Sequence, residues 1–165
     1  PQGTTFAVVR YGNVVNSRGS VVPFFRKLLA GGKPLTITDE RMTRFWLKLE
    51  TAVDLVHLAL NDMQGGELYV PQIPSVRITD LAEALNPGNP YIISGIRPGE
   101  KLHEEMISSE EARRAEKRNG LFVLYPATGS LQSQQELFNL PDGFRYSSDT
   151  NSEWLTVEQI KKTLE

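Results

Sequence analysis

Residues 5–11 form a continuous run of β-prone, mostly apolar side chains, and a loop and an amphipathic helix follow it. A run without polar alternation is typical of a strand covered on both faces, as in a parallel sheet flanked by helices. Ser20 is placed to cap a helix over residues 21–30, which the pair Gly31 and Gly32 ends. The chain therefore opens with a strand, a loop and a helix, the unit from which α/β folds are built.

Short strands and helices continue to alternate along the rest of the chain. Further strands are predicted over residues 34–38, 44–47, 67–70, 91–96 and 121–125, and further helices over residues 50–64, 79–85 and 108–118 and from about residue 156. The helix over 50–64 is expected to bury one side, formed by Ala52, Val53, Val56, Ala59 and Leu60. Asp80 with Glu83 is a capping-box arrangement, and residues 108–118 have the charge order of an exposed helix.

Composition limits the classes of function. The 165 residues, with 39% hydrophobic and 23% charged side chains, suit a globular α/β protein. A net charge of -2 provides no general attraction for nucleic acid or for an anionic membrane, so neither is expected as a partner. The absence of cysteine excludes disulfides and thiol catalysis, and His57 and His103 lack metal-ligand spacing, so no metal is expected. Without a long apolar run or a signal peptide, a cytoplasmic protein is expected.

Two turns after predicted strands carry the residue types of an anion site. In the first, Asn13 offers both a donor and an acceptor, and Arg18 lies just ahead of a helix N-terminus. In the second, Arg97 follows a strand and Glu100 is brought back beside it by a Pro-Gly turn, which pairs a phosphate donor with a hydroxyl acceptor. The alternatives left open are a backbone bulge with a surface charge at the first turn, and an exposed ion pair at the second.

Arg44 lies between these turns in the chain, next to aromatic residues. It is a candidate to reach a phosphate group or to stack on Trp46, and composition favours stacking. Several catalytic signatures are missing. The sequence has no Gly-x-Gly pair, no tyrosine with a lysine four residues later, no nucleophile elbow and no phosphate loop.

A set of segments in a fixed order resembles a known family. The segments are residues 10–15, 17–23, 37–39, 42–46, 95–104, 146–148 and 153–155. Together they resemble the C-terminal half of the extended short-chain dehydrogenase/reductase family, and most closely its inverting UDP-N-acetylglucosamine 4,6-dehydratases. The Arg-Phe-Trp segment and the Val-Pro-Gln-Ile-Pro-Ser segment favour the inverting enzymes over the retaining ones.

The resemblance implies a fold, a ligand and a cofactor. The fold would be the C-terminal part of a Rossmann-like enzyme with its small substrate-binding subdomain, and the ligand UDP-N-acetylglucosamine. The implied substrate-binding residues, with Arg44 added from the reasoning above, are Asn13, Val14, Val15, Asn16, Ser17, Arg18, Thr38, Arg44, Arg97 and Glu100. Thr38 would lie near the base, while Arg97 and Glu100 would hold the pyrophosphate and the ribose. Asn13 and Val21 would lie near NADP.

In such enzymes hydride leaves C4 of the sugar for NADP, water is lost across C5 and C6, and the hydride returns to C6 with inversion at C5. The resemblance therefore implies that residues 1–165 are one C-terminal half, without the NADP-binding half and without catalytic residues, and inactive alone. Another chain or the other half of the enzyme would complete it, a homo-oligomer is expected, and the product would enter pseudaminic acid or a related surface glycan. Open alternatives are a UDP-sugar 4-epimerase, a retaining dehydratase, and a non-catalytic binding or assembly module.

Overall fold

The computed structural model describes residues 3–126 and 139–165, which form two compact units. Within the described residues, the first unit comprises Pro1–Tyr11, Glu50–Gln72 and Glu105–Ser147. The second unit comprises Gly12–Leu49, Ile73–Glu104 and Ser148–Glu165. Each unit is therefore assembled from separate stretches of the chain.

Strands and helices alternate, as the sequence predicts. In chain order the elements are β1 (Val8–Val9), β2 (Asn13–Val14), α1 (Val21–Ala30), β3 (Leu35–Ile37), β4 (Thr43–Leu47), α2 (Leu49–Asp62), β5 (Leu68–Pro71), β6 (Ser75–Arg77), α3 (Ile78–Leu85), β7 (Tyr91–Ile93), β8 (Glu105–Ile107), α4 (Ser109–Ala112), β9 (Ala115–Arg118), β10 (Leu121–Leu124), β11 (Tyr146–Ser147) and α5 (Val157–Leu164). The mixture confirms the α/β class.

The first unit is built on a sheet with the strand order β1-β5-β10-β9, and β8 and β11 form a separate antiparallel pair. β1 runs parallel to β5, whereas β10 is antiparallel to both β5 and β9. Leu55 of α2 packs into one cluster with Tyr69 and Val123 of the sheet. The predicted burial of the first strand on both faces is wrong, because Val8 of β1 is 60% exposed and Val9 is only partly buried.

The predicted buried side of α2 is also partly wrong. Ala52 and Ala59 are buried as expected, together with Leu55, but Val53 and Val56 are exposed, as is Leu60. Apolar side chains occur on more than one side of this helix, so the sequence pattern does not determine which side faces the sheet. Contact with Tyr69 and Leu121 selects the side that carries Leu55.

Residues 108–118 do not form the single exposed helix that their charge order predicts. Helix α4 ends at Ala112, and Ala115–Arg118 pairs with β10 as strand β9. Ser108 and Glu111 form a capping box, and Arg10 binds the Glu111 carboxylate through two hydrogen bonds of 3.0 and 3.1 Å. Arg10 and the Ser108 N–H lower the pKa of Glu111 below its ordinary value. Residues 115–118 form a strand because pairing with β10 satisfies their backbone hydrogen bonds. Charged side chains of the segment, such as Glu111 and Arg118, form specific ion pairs.

The second unit contains two small sheets, one with the order β2-β4-β6 and one formed by β3 and β7. Helices α1, α3 and α5 supply its core together with these strands, and Val22 and Phe25 are the buried side chains of α1. A side chain of this kind contributes about 1.5–3 kcal/mol when fully buried. The predicted bounds of α1 are confirmed, and α5 follows a Thr156 capping box.

The predicted capping box of α3 is wrong. The helix begins at Ile78, so Asp80 already lies in its first turn and Arg77 occupies the N-cap position. Asp80 pairs with Arg77 at 3.7 Å, and Glu83 accepts hydrogen bonds from the Gly88 N–H at 3.2 Å. Both carboxylates therefore have partners other than those that the pattern indicates.

Helices long and apolar enough to span a bilayer do not occur among residues 3–126 and 139–165.

Candidate functional site

The second unit contains a cavity of about 390 Å³ whose wall comes from three of its strands, α1, the first residue of α3 and three loops. The lining residues are Asn13, Val14, Val15, Asn16, Gly19, Ser20, Val21, Val22, Phe24, Phe25, Thr36, Ile37, Thr38, Met42, Arg44, Trp46, Ile78, Ser94, Arg97 and Glu100. All of them belong to the second unit. The cavity therefore belongs to one compact body.

The first wall is strand β2 with the loop after it. Asn13 and Val14 pair in parallel with β4, and the Val15 N–H donates to the Leu47 carbonyl at 2.9 Å. This pairing requires Gly12, because a Cβ there would lie closer than 3.0 Å to the Cβ of Phe45. Glycine thus permits a close approach of the two strands, and strand β2 brings Asn13 to the cavity.

The start of α1 also lines the cavity. Ser20 has the backbone conformation of an N-cap, as predicted, but its hydroxyl makes no capping hydrogen bond. The Ser20 Oγ is buried and has no hydrogen-bond partner among the described residues, although the residue lines the cavity. A hydroxyl in this position is available to a ligand, since burial without a partner costs free energy.

The second wall brings Thr38 to the turn that contains Arg97 and Glu100. The Thr38 hydroxyl donates to Glu100 Oε1 at 3.2 Å, and the Arg97 N–H donates to Glu100 Oε2 at 3.2 Å. Among the described residues no ion pair joins the Arg97 guanidinium to this carboxylate, so the turn is not the exposed ion pair of the alternative interpretation. The Arg97 side chain remains exposed at the cavity.

Arg44 lines the cavity, but it does not stack on Trp46 as composition favours. Its guanidinium donates to the backbone carbonyls of Thr43, Lys101 and Leu102 at 2.7–3.0 Å. In the described part of the chain the arginine that stacks on an indole is Arg77, 4.7 Å from the Trp154 ring centroid. Carbonyl contacts prevail at Arg44 because the loop after Glu100 runs beside β4, where the Thr43 N–H also donates to Leu102.

Most of the predicted site residues meet at this cavity. Those that line it are Asn13, Val14, Val15, Asn16, Val21, Thr38, Arg44, Arg97 and Glu100. Ser17 and Arg18 do not line it, although their exposed neighbours Asn16 and Gly19 do. The two turns singled out in the sequence therefore converge on one space, although they are far apart in the chain.

Other lining residues were not predicted. Phe24 and Ile78 supply apolar wall, and Thr36 and Ser94 supply hydroxyl groups. Phe24 is adjacent to the buried Phe25 and remains 44% exposed, which the helical periodicity of α1 does indicate. Nothing in the local sequence marks Thr36 or Ser94, because their position depends on the pairing of β3 with β7.

The lining carries the kinds of group that bind small molecules. Amide, hydroxyl, guanidinium and carboxylate groups share the cavity with aliphatic and aromatic walls, a combination typical of small-molecule sites. Among the described lining residues there is no histidine, lysine or cysteine, and the Ser20 hydroxyl has no base beside it. Outside the lining, hydrogen bonds from Arg41 lower the pKa of Asp39 to about 2.

Comparison with known proteins identifies similar chains. A family model described as polysaccharide biosynthesis protein matches residues 1–126. A UDP-N-acetylglucosamine 4,6-dehydratase (inverting) of Campylobacter jejuni is 47% identical over 95% of this chain and 50% of its own length. A UDP-glucose 4-epimerase of Rickettsia bellii is 37% identical over 98% of this chain and 49% of its own length. The X-ray structure of Pen from Bacillus thuringiensis superposes with a TM-score of 0.79 and 29% identity, covering 96% of this chain and 48% of that one.

These similarities confirm the family resemblance and the fold that the sequence motifs predict. The chain spans about half the length of the curated relatives that it matches. Because the family model covers more than half of its residues, the chain belongs to the polysaccharide biosynthesis protein family.

Proposed function

We propose that the cavity of the second unit binds the uridine diphosphate part of a nucleotide sugar. We further propose that residues 1–165 form the C-terminal, substrate-binding half of an NADP-dependent UDP-N-acetylglucosamine 4,6-dehydratase that inverts C5. The product would enter pseudaminic acid or a related surface glycan, in the cytoplasm. The 47% identity to a dehydratase of that name supports the proposal.

One observation carries the proposal: the turn at Asn13 and the turn at Arg97 line the same cavity. A diphosphate needs donors that converge, and a ribose needs an acceptor beside them. Arg97 is placed to give the donors and the Glu100 carboxylate the acceptor, since each Glu100 oxygen has an unused lone pair after its one hydrogen bond. Ser20 adds an unpaired hydroxyl. A volume of about 390 Å³ is within the range of small-molecule sites.

The cofactor would be held mainly by residues outside this chain. The sequence has no Gly-x-Gly turn to receive a dinucleotide, and we propose that Asn13 and Val21, which line the cavity, contact the nicotinamide end of NADP. When bound, NADP supplies reversible hydride transfer. We therefore expect the chain alone to be inactive, with the other half of the enzyme or another chain completing it, as a homo-oligomer. Detection of the 4-keto product from the isolated chain would contradict this expectation.

Calorimetric titration with UDP tests the ligand assignment directly. We expect UDP to bind the 165-residue chain, and Arg97→Gln to weaken binding by about tenfold to a hundredfold, the value of a charge-assisted hydrogen bond. Arg41→Gln is the matched control, because Arg41 pairs with Asp39 and does not line the cavity. Absence of heat with UDP at millimolar concentration, together with strong self-association, would favour the non-catalytic assembly module instead.

A UDP-sugar 4-epimerase is the second candidate, favoured by the 37% identity to the Rickettsia relative over nearly all of the chain. An epimerase would use the same uridine-diphosphate contacts, so UDP binding does not separate the two activities. The stereochemistry of the product at C4 and C5, measured by NMR with the complete enzyme, separates them and also separates an inverting from a retaining dehydratase.

A further inference from the structure

Arg44 lines the cavity, yet its guanidinium hydrogen-bonds mainly to other atoms of the protein. It lies in β4 and lines the cavity, and its side chain is 14% exposed. An arginine beside a diphosphate site would ordinarily be assigned to the phosphates. The contacts of this guanidinium indicate a different role.

Four of the five N–H donors of Arg44 are on its two terminal nitrogens, and each has a partner. Nη1 donates to the carbonyls of Thr43 at 2.7 Å and Leu102 at 3.0 Å. Nη2 donates to the Lys101 carbonyl at 2.9 Å and lies 3.8 Å from the Met42 sulfur. Nε lies 3.7 Å from a Glu104 carboxylate oxygen. The two-pronged fork that would grip a diphosphate is therefore already used.

Two of the three carbonyls that Arg44 binds, those of Lys101 and Leu102, belong to the residues that directly follow Glu100. Leu102 is held twice, because its carbonyl also accepts the Thr43 N–H at 3.0 Å. On the other side, the Glu100 carboxylate is held by the Thr38 hydroxyl and the Arg97 N–H. Glu100, which lines the cavity, thus lies between an anchored stretch of backbone and the two donors to its carboxylate.

We propose that Arg44 is a positioning residue that fixes the backbone of Lys101 and Leu102 to β4 and so holds the Glu100 carboxylate where it accepts a ribose hydroxyl of the nucleotide. The inference rests on the proposed function. Lysine is a poor substitute, because one ammonium group on a flexible stem lacks the planar fork that reaches separate carbonyls together.

The test compares two ligands, UDP and 2′,3′-dideoxyuridine diphosphate, by calorimetric titration of the 165-residue chain. We expect the unsubstituted chain to prefer UDP by about tenfold or more, the value of a hydrogen bond to a carboxylate. Arg44→Gln and Glu100→Gln are each expected to reduce this preference to about twofold or less. The double variant should lose no more than either single one, because both changes remove the same contact.

The ratio of the two affinities separates a positioning role from a merely structural one. Partial unfolding would lower the apparent affinity for both ligands by the same factor and leave their ratio unchanged. Arg41→Gln, the control for loss of a guanidinium, should keep the full preference. If Arg44→Gln does not fold, Arg44→Lys replaces it, with a preference expected between those of the unsubstituted chain and Glu100→Gln.

Three results would overturn the inference. A full preference for UDP in the folded Arg44 variants would refute the role of Arg44 and leave the proposed function intact. Equal affinity of the unsubstituted chain for both ligands would remove the ribose contact and the inference with it. Binding of neither ligand would refute the proposed function itself.

Discussion

Gly12→Ala probes the contact on which the first wall of the cavity depends. The added Cβ would lie closer than 3.0 Å to Phe45 Cβ and 3.2 Å from the Cδ1 of Ile73. Carbon atoms pack at about 3.5–4.0 Å, so at least about 0.5 Å of movement is needed. Phe45 is fully buried in β4, which has a strand on each side, and β4 therefore cannot retreat. Strand β2 must therefore move.

Overpacking of this kind costs about 1–3 kcal/mol, and we expect the upper part of that range because a backbone and not a flexible side chain must shift. Tryptophan fluorescence in urea measures the effect. The chain has two tryptophans, Trp46 and Trp154, and both lie in the second unit. With a slope of about 2 kcal/mol per molar urea, the unfolding midpoint should fall by about 1 M or more.

Gly31→Ala is the matched control, since its Cβ would meet only ordinary contacts of 3.5 Å at the end of α1. Its effect should stay within about 0.5–1 kcal/mol of the unsubstituted chain in either direction. UDP affinity should fall with Gly12→Ala and persist with Gly31→Ala. An unchanged midpoint for Gly12→Ala, or an equal loss in both variants, would refute the argument that close strand approach builds this wall.

Three further outcomes are expected. The pKa of Asp39, held at about 2 by hydrogen bonds from Arg41, should return towards 3.8 in Arg41→Gln, as measured by NMR titration. The native pair contributes stability above about pH 4, and this stability is lost as the pH falls towards 2. An unmoved pKa in the variant would contradict this expectation. Arg10→Gln should raise the pKa of Glu111, which the same titration measures. Protonation of Glu111 at acid pH should then destabilise the variant less than it destabilises the unsubstituted chain. The chain should self-associate in sedimentation velocity through exposed apolar side chains such as Leu60, which is 59% exposed, and Leu60→Lys should reduce association; a monomer before substitution would argue against it.

Local signals in the sequence predicted the elements whose formation depends on neighbouring residues. The bounds of α1 were predicted correctly because a capping position, helical spacing and a glycine pair coincide. The turns at Asn13 and Arg97 were also predicted as binding turns from their residue types, and both line the cavity.

The errors arise where long-range contacts decide between local alternatives. The charges of residues 108–118 suit a helix, but β10 offers a strand partner that the sequence does not reveal. Arg44 is followed by two aromatic residues in sequence, yet its guanidinium binds the carbonyls of Lys101 and Leu102 as well as that of its neighbour Thr43. A side chain with five donors goes where several acceptors meet, and that place is known only once the chain has folded.

The cavity is contained in one unit whose chain is interrupted twice by the other. A ligand that fills it should therefore leave a discontinuous footprint in amide exchange, with slowed positions within Gly12–Leu49 and Ile73–Glu104 and silent positions in the intervening Glu50–Gln72. No single cut of the polypeptide separates this unit from the other. A minimal version would have to be spliced, with Leu49 joined to Ile73 and Glu104 joined to Ser148 by short new linkers.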